Sequence, residues 1–286
     1  MEDDKYFFQD ESGQWFHYDE TWSEGTGPFI TREEAEISLE KYVKYLKHGE
    51  NMIFNQIWNM QHELNKVIGK DTVFAENKLE WLFMYCEALN DEVIELMSCY
   101  ELVFIKHTEY CVNELNYKNA KIESVDCLHF LMSIFQILNF KSFNYFENEY
   151  IKFDNNTCDI IEKYYYFAKE HNSQENNHLV IYRHIINLLN RTNNIKNRTN
   201  WKWWSKSVKA IPDSQFKLLI NKDDIEKETS MALLELMYIF YYLNMTPENI
   251  LDIYEKKCKI NHERQKNDYD IKTKNENDNL ELEKQI

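Results

Sequence analysis

The chain has 286 residues and a mass of 34.9 kDa, enough for one large domain or two modest ones. With 43% hydrophobic and 15% aromatic residues it can bury a substantial core, which excludes a disordered protein. Its formal charge of −16, from 49 acids against 33 bases, argues against a nucleic-acid partner, and the absence of an apolar run near ~18 residues argues against a membrane.

In chain order, residues 5–30 stand apart. Tyr6-Phe-Phe-Gln-Asp10 and Gln14-Trp-Phe-His-Tyr18 flank a Ser12-Gly13 turn and predict a β-hairpin. Gly25-Thr-Gly-Pro28 is expected to break the chain, and Thr31-x-x-Glu34 is a capping box that starts a helix toward Leu46. Residues 1–48 are therefore expected to be a small hairpin-plus-helix appendage. All five glycines lie at or before Gly69, so the chain beyond lacks the residue best suited to positive φ and is expected to be helical. Helices are predicted over 50–68, 78–103, 122–140, 158–171, 177–191, 215–243 and 247–266, the last capped by Thr246 with Pro247 at its first position. Residues 49–269 form the expected all-α domain, and 270–286, which lack an apolar stripe, are expected to be a disordered tail. Six cysteines on apolar faces, with no C-x-x-C spacing, suggest reduced core thiols in a cytoplasmic protein without a leader.

Two acidic signatures carry the chemistry. Glu92-Val-Ile-Glu95 and Glu123-Ser-Val-Asp126 each place two carboxylates on one helix face. Two such helices packed together would direct all four toward one point. A hard cation such as Mg²⁺ makes that convergence tolerable, and Mg²⁺ commonly accompanies a phosphorylated substrate. A lone E-x-x-E also arises on solvated faces, but Glu123 and Asp126 sit among apolar neighbours, where an acid needs a partner or a metal. Lys257, Asn261 and Arg264 share one helical stripe, with Tyr269 just beyond, a set suited either to polyphosphate oxygens or to a solvated helix end. Gln61 and Asn65, one turn apart, could read the edge of a base. Trp201-Lys-Trp-Trp204 offers a stacking face or a plug for the core.

Together these segments resemble the all-α nucleotide pyrophosphohydrolases of the dimeric dUTPase type, which include phage dCTPase-dUTPases and are cousins of MazG. WLFMYCEALNDEVIELMS resembles the first acidic helix of that family, and IESVDCLHFLMS its E-x-V-D-x-x-H-F helix. NMTPENILDIYEKKCKINHERQKNDY resembles the closing K-x-x-x-N-x-x-R-Q helix, and MQHELN the N-terminal Q-x-x-L-N helix. The resemblance spans about residues 50–270 in the family's order. It implies an all-α bundle and a homodimer with Glu92, Glu95, Glu123 and Asp126 as Mg²⁺ ligands, Glu92 or Glu95 also orienting the attacking water. Lys257, Asn261, Arg264 and Tyr269 would hold the phosphates, and Gln61 and Asn65 would face the pyrimidine, with Trp201 as a candidate stacking residue.

The implied reaction is hydrolysis of dUTP, with dCTP also possible, to the monophosphate and pyrophosphate. The alternatives are a helical scaffold that keeps only the fold, or a MazG-like enzyme for another nucleotide. The chain departs from the family in several places. Its W-K-W-W lies at 201–204 rather than between the acidic helices, Asp268 replaces a glycine, and the glycine-rich tail is missing. A second register would put Glu228 and Met231 in place of the second acidic pair.

Overall fold

The computed structural model describes residues 6–18, 25–48, 52–69, 78–105, 109–140, 159–172, 177–198, 222–266 and 277–285. The chain divides into an N-terminal unit that runs to Met52 and a larger unit from Ile53 onward.

In the N-terminal unit, strands β1 (Phe7–Gln9), β2 (Trp15–Tyr18) and β3 (Gly25–Phe29) form an antiparallel sheet in that order, and α1 (Arg32–His48) follows. The β1–β2 turn is held by the Asp10 carboxylate, which accepts from the backbone N–H groups of Ser12 (3.0 Å) and Gln14 (2.9 Å). The glycine-proline segment does not merely break the chain, as expected, but forms the third strand. It lies so close to β2 that a Cβ on Gly27 would meet Phe16 Cδ1 at 2.5 Å and the Trp15 carbonyl at 2.8 Å, so only glycine fits. The capping box is present: Glu34 N–H donates to Thr31 Oγ1, and Thr31 N–H donates to the Glu34 carboxylate, each at 3.2 Å.

Among the described residues, the larger unit is all-α but for one hairpin. Its helices are α2 (Ile53–Gly69), α3 (Lys78–Ser98), α4 (Tyr117–Leu138), α5 (Ile160–Glu170), α6 (Asn177–Asn197), α7 (Lys222–Tyr242), α8 (Pro247–Lys266) and α9 (Asn277–Glu283). Helix α4 is the central rod. It is buried on nearly every side, and α2, α3, α7, α8 and α9 all pack against it. With glycine absent after Gly69, two asparagines among the described residues supply left-handed residues that end helices. Asn139 (φ 57°) closes α4 and Asn244 (φ 55°) closes α7, each followed by a backbone bond reaching five residues back, Phe140 to Phe135 and Met245 to Phe240, both 3.0 Å.

Two sequence expectations need correction. The helix predicted over 78–103 stops at Ser98, and Tyr100–Ile105 (β4) pairs antiparallel with Glu109–Leu115 (β5). Aromatic and β-branched residues dominate Tyr100-Glu-Leu-Val-Phe-Ile105, and such side chains favour a pleated strand over a helix. The tail expected to be disordered carries α9, which is held by its contacts rather than by its own propensity. Leu282 is only 2% exposed, and Lys118 Nζ donates to the Glu283 carbonyl at 2.7 Å. Cys86, Cys99, Cys127 and Cys258 are buried free thiols. Among the described residues no helix is long and apolar enough to cross a membrane.

Candidate active site

Helices α2, α3, α4, α8 and α9 enclose a cavity of about 710 Å³. The two acidic signatures meet on its wall because α3 and α4 pack side by side with their paired carboxylates facing each other. One ligand oxygen from each of Glu92, Glu123 and Asp126 lies within 4.8 Å of the other two. Glu95 lines the same cavity but stands outside this group of three. Glu123 and Asp126 are buried, and Glu123 Oε2 has no hydrogen-bond partner among the described residues.

Burial and mutual repulsion make these poor carboxylates in the absence of a cation. Burial first, then Asp126, Glu95 and Glu123, push Glu92 up to about 9. Burial and Asp126 push Glu123 up to about 7, against the pull of Lys257. Asp126 is also raised, since burial outweighs the stabilisation it receives from Lys257 and Arg264. An oxygen-rich pocket that holds protons this strongly, with one buried oxygen unpaired, suits a hard divalent cation.

Helix α8 supplies the positive wall. Lys257, 3% exposed, places Nζ 2.6 Å from Asp126 Oδ2 and donates to Asn279 Oδ1 on α9 at 2.7 Å. One and two turns further on, Asn261 and Arg264 line the same cavity, and Arg264 Nη1 donates to Asn261 Oδ1 at 3.3 Å. A carboxylate cluster and a basic stripe thus share one chamber, an arrangement that suits a polyphosphate chain.

The sequence model of the dUTPase family matches residues 53–269. The chain belongs to the dUTPase family. No curated protein and no solved structure was found to match it. Membership brings nucleotide hydrolysis in its general form, and the matched span contains every residue so far placed on the cavity wall except those of α9.

Gln61 and Asn65 also line the cavity, but their amides are fully engaged inside the core. Gln61 Nε2 donates to Asn65 Oδ1 (3.0 Å) and Ser133 Oγ (2.9 Å), while its Oε1 accepts from Tyr254 Oη (2.6 Å) and from His129 Nδ1 (2.7 Å). Asn65 Nδ2 donates to Ser133 Oγ and Gln136 Oε1, both 3.1 Å, and its Oδ1 also accepts from Tyr85 Oη at 2.9 Å. No donor or acceptor of either amide is left over for a ligand.

The group the network presents instead is His129, which sequence reading did not single out although it sits in the E-x-V-D-x-x-H-F stretch. Its ring stacks on Tyr254 with centroids 3.8 Å apart, and burial holds it well below its ordinary value, at about 3, so it is neutral. Because Nδ1 carries the proton donated to Gln61, Nε2 is a bare acceptor, buried and without a partner among the described residues. The sequence signals for this were the histidine of the E-x-V-D-x-x-H-F stretch and one turn of spacing, His129 being three residues after Asp126.

Trp201 and Tyr269 lie outside the described residues. The second register is not supported. Glu228 on α7 accepts from Arg191 Nη1 (3.0 Å) and Asn194 Nδ2 (3.2 Å) on α6, and it neither belongs to the group of three carboxylates nor lines the cavity.

Proposed function

We propose that the protein is a Mg²⁺-dependent pyrophosphohydrolase acting on a pyrimidine deoxynucleoside triphosphate, dUTP before dCTP, with the monophosphate and pyrophosphate as products. The observation that carries this reading is the meeting of Glu92, Glu123 and Asp126 within 4.8 Å, with Glu123 Oε2 buried and unpaired. These three carboxylates would hold the cation, with Glu95 beside them. A divalent cation held there would supply a more acidic water and neutralise charge that builds on the phosphate oxygens. Glu95, facing the same cavity from outside the group, takes the proton of the water attacking the α-phosphorus. Lys257 and Arg264 stabilise the charge on the departing pyrophosphate, and Asn261 keeps Arg264 oriented.

The base-side wall supports the choice of a pyrimidine with an imide proton. Uracil N3–H can donate to the bare His129 Nε2, whereas cytosine N3 is itself an acceptor and would meet it lone pair to lone pair. Gln61 and Asn65 act in this reading as the frame that fixes the tautomer of His129, rather than as readers of the base.

The test is pyrophosphate release from a panel of dNTPs with Mg²⁺, comparing wild type with Glu123→Gln. Release from dUTP that disappears in the variant is expected. A folded wild-type protein that releases pyrophosphate from no nucleotide would overturn the reading.

A further inference from the structure

Asn279 lies on α9, beyond the span that the dUTPase family matches, yet its side chain reaches into the acidic site. Its Nδ2 donates to Glu123 Oε1 at 3.1 Å and its Oδ1 accepts from Lys257 Nζ at 2.7 Å. Lys257 in turn is 2.6 Å from Asp126 Oδ2, and Asp126 stands one turn from Glu123 on α4. The amide therefore closes a ring that runs from Glu123 through Asn279 and Lys257 to Asp126 and back along α4.

An amide is the side chain this position calls for. It donates to the carboxylate with one end and accepts from the ammonium with the other. An aspartate would set another negative charge against Glu123, and a lysine could not accept from Lys257. By occupying Glu123 Oε1, the amide also turns the carboxylate so that Oε2 is the oxygen left unpaired in the buried site.

Resting on the function proposed above, we propose that Asn279 is a positioning residue. It orients Glu123 with Oε2 toward the cation and holds Lys257 for the phosphate chain, so that a helix outside the family core completes the site. It touches neither water nor phosphorus and acts through its two neighbours. Helix α9 has seven residues, too few to be stable alone, so its anchors transmit the effect. Leu282 buried against the bundle and the Lys118 bond to the Glu283 carbonyl set where Asn279 stands.

The test uses the full chain and Mn²⁺ as an EPR-visible stand-in for Mg²⁺, titrated without nucleotide. Asn279→Ala removes both hydrogen bonds, and Asn279→Leu removes them while keeping the size of the side chain. Thermal unfolding in EDTA checks that each variant is folded. Wild type is expected to bind Mn²⁺ at the site and each variant to bind it roughly tenfold or more weakly, the usual effect of losing the partner of a ligating carboxylate. KM for the nucleotide is expected to rise as well, through the loosened Lys257. Leu282→Ala, which frees α9 without changing the amide, is expected to move both readouts in the same direction. Equal or tighter Mn²⁺ binding by both folded Asn279 variants overturns the proposal while leaving the functional reading in place. Failure of wild type to bind Mn²⁺ overturns the reading on which the proposal rests, and the proposal with it.

Discussion

In the proposed reading, His129 concentrates the chemistry of the base-side wall in one atom, the buried Nε2. A buried acceptor without a donor costs about 1–3 kcal/mol, and a substrate that supplies the donor recovers that energy. We therefore expect kcat/KM for dUTP to exceed that for dCTP by roughly 10- to 100-fold, within the range those energies imply. His129→Phe keeps a ring on Tyr254 and deletes the acceptor, so it should bring the two substrates to within a few-fold of each other. Competition assays with mixed nucleotides measure the ratio directly, and an unchanged ratio in the variant would remove His129 from base selection. The same ring also has a signature in stability. Its folded value of about 3 is depressed below the ordinary 6.5, so between these the unfolded state binds the extra proton. The associated stability is complete above about pH 6.5 and is lost as the pH falls toward 3. Urea midpoints of wild type should thus fall more steeply over that window than those of His129→Phe.

At the scale of elements, a single carboxylate starts two helices. Asp159 Oδ1 accepts from Glu162 N–H at 3.1 Å to cap α5, and its Oδ2 accepts from Phe54 N–H at 2.9 Å in the first turn of α2. The residue is 5% exposed, so water cannot replace these bonds, and Asp159→Ala should cost about 2–4 kcal/mol from two lost caps. Chemical denaturation checks this. A loss below about 0.5 kcal/mol, the lower end of the effect of one cap, would mean that the two helix starts do not depend on it. Helix starts of the local kind, Thr31 with Glu34 and Thr246 before Pro247, were legible in the sequence because donor and acceptor lie three residues apart. Asp159 was not, since its second partner is 105 positions away. The facing of Glu92 with Glu123 and Asp126 was legible for a related reason, as i, i+3 acids on two helices have few ways to be buried together. The β4–β5 hairpin and α9 were hidden because tertiary contact decides them. The strand sequence also carries apolar spacing that a helix would accept, and α9 owes its order to Leu282, Lys118 and the Asn279 bridge rather than to any apolar stripe of its own.

For the whole molecule, the acidic site works against the fold once its carboxylates lose their protons, and in the proposed reading a cation relieves this. The folded values of Glu123, about 7, and Glu92, about 9, lie above the ordinary 4.5, so the folded state retains protons that the unfolded state has already released. The sign is opposite to that for His129. Stability of the cation-free protein is highest below about pH 4.5 as far as these groups are concerned, and it is lost as the pH rises through 7 and then 9. In the proposed reading a bound cation would take over the role of the protons, so this alkaline loss should shrink when Mg²⁺ saturates the site. At a hundred times its dissociation constant, Mg²⁺ bound in this way would stabilise the folded state by about 2.7 kcal/mol, which for a unit of this size corresponds to a Tm increase of roughly 5–10 °C. The increase should be larger at pH 8.5 than at pH 6, because at pH 6 the cation must first displace protons from Glu92 and Glu123. Glu123→Gln separates the two effects. It removes a buried charge and one of the cation ligands, so in EDTA at pH 8 the variant should melt above wild type, while Mg²⁺ should scarcely move it. Differential scanning calorimetry of both proteins, with EDTA and with Mg²⁺ at the two pH values, tests the whole scheme. A variant that melts below wild type in EDTA yet still responds to Mg²⁺ would show that Glu123 is neither the repulsive charge nor a ligand.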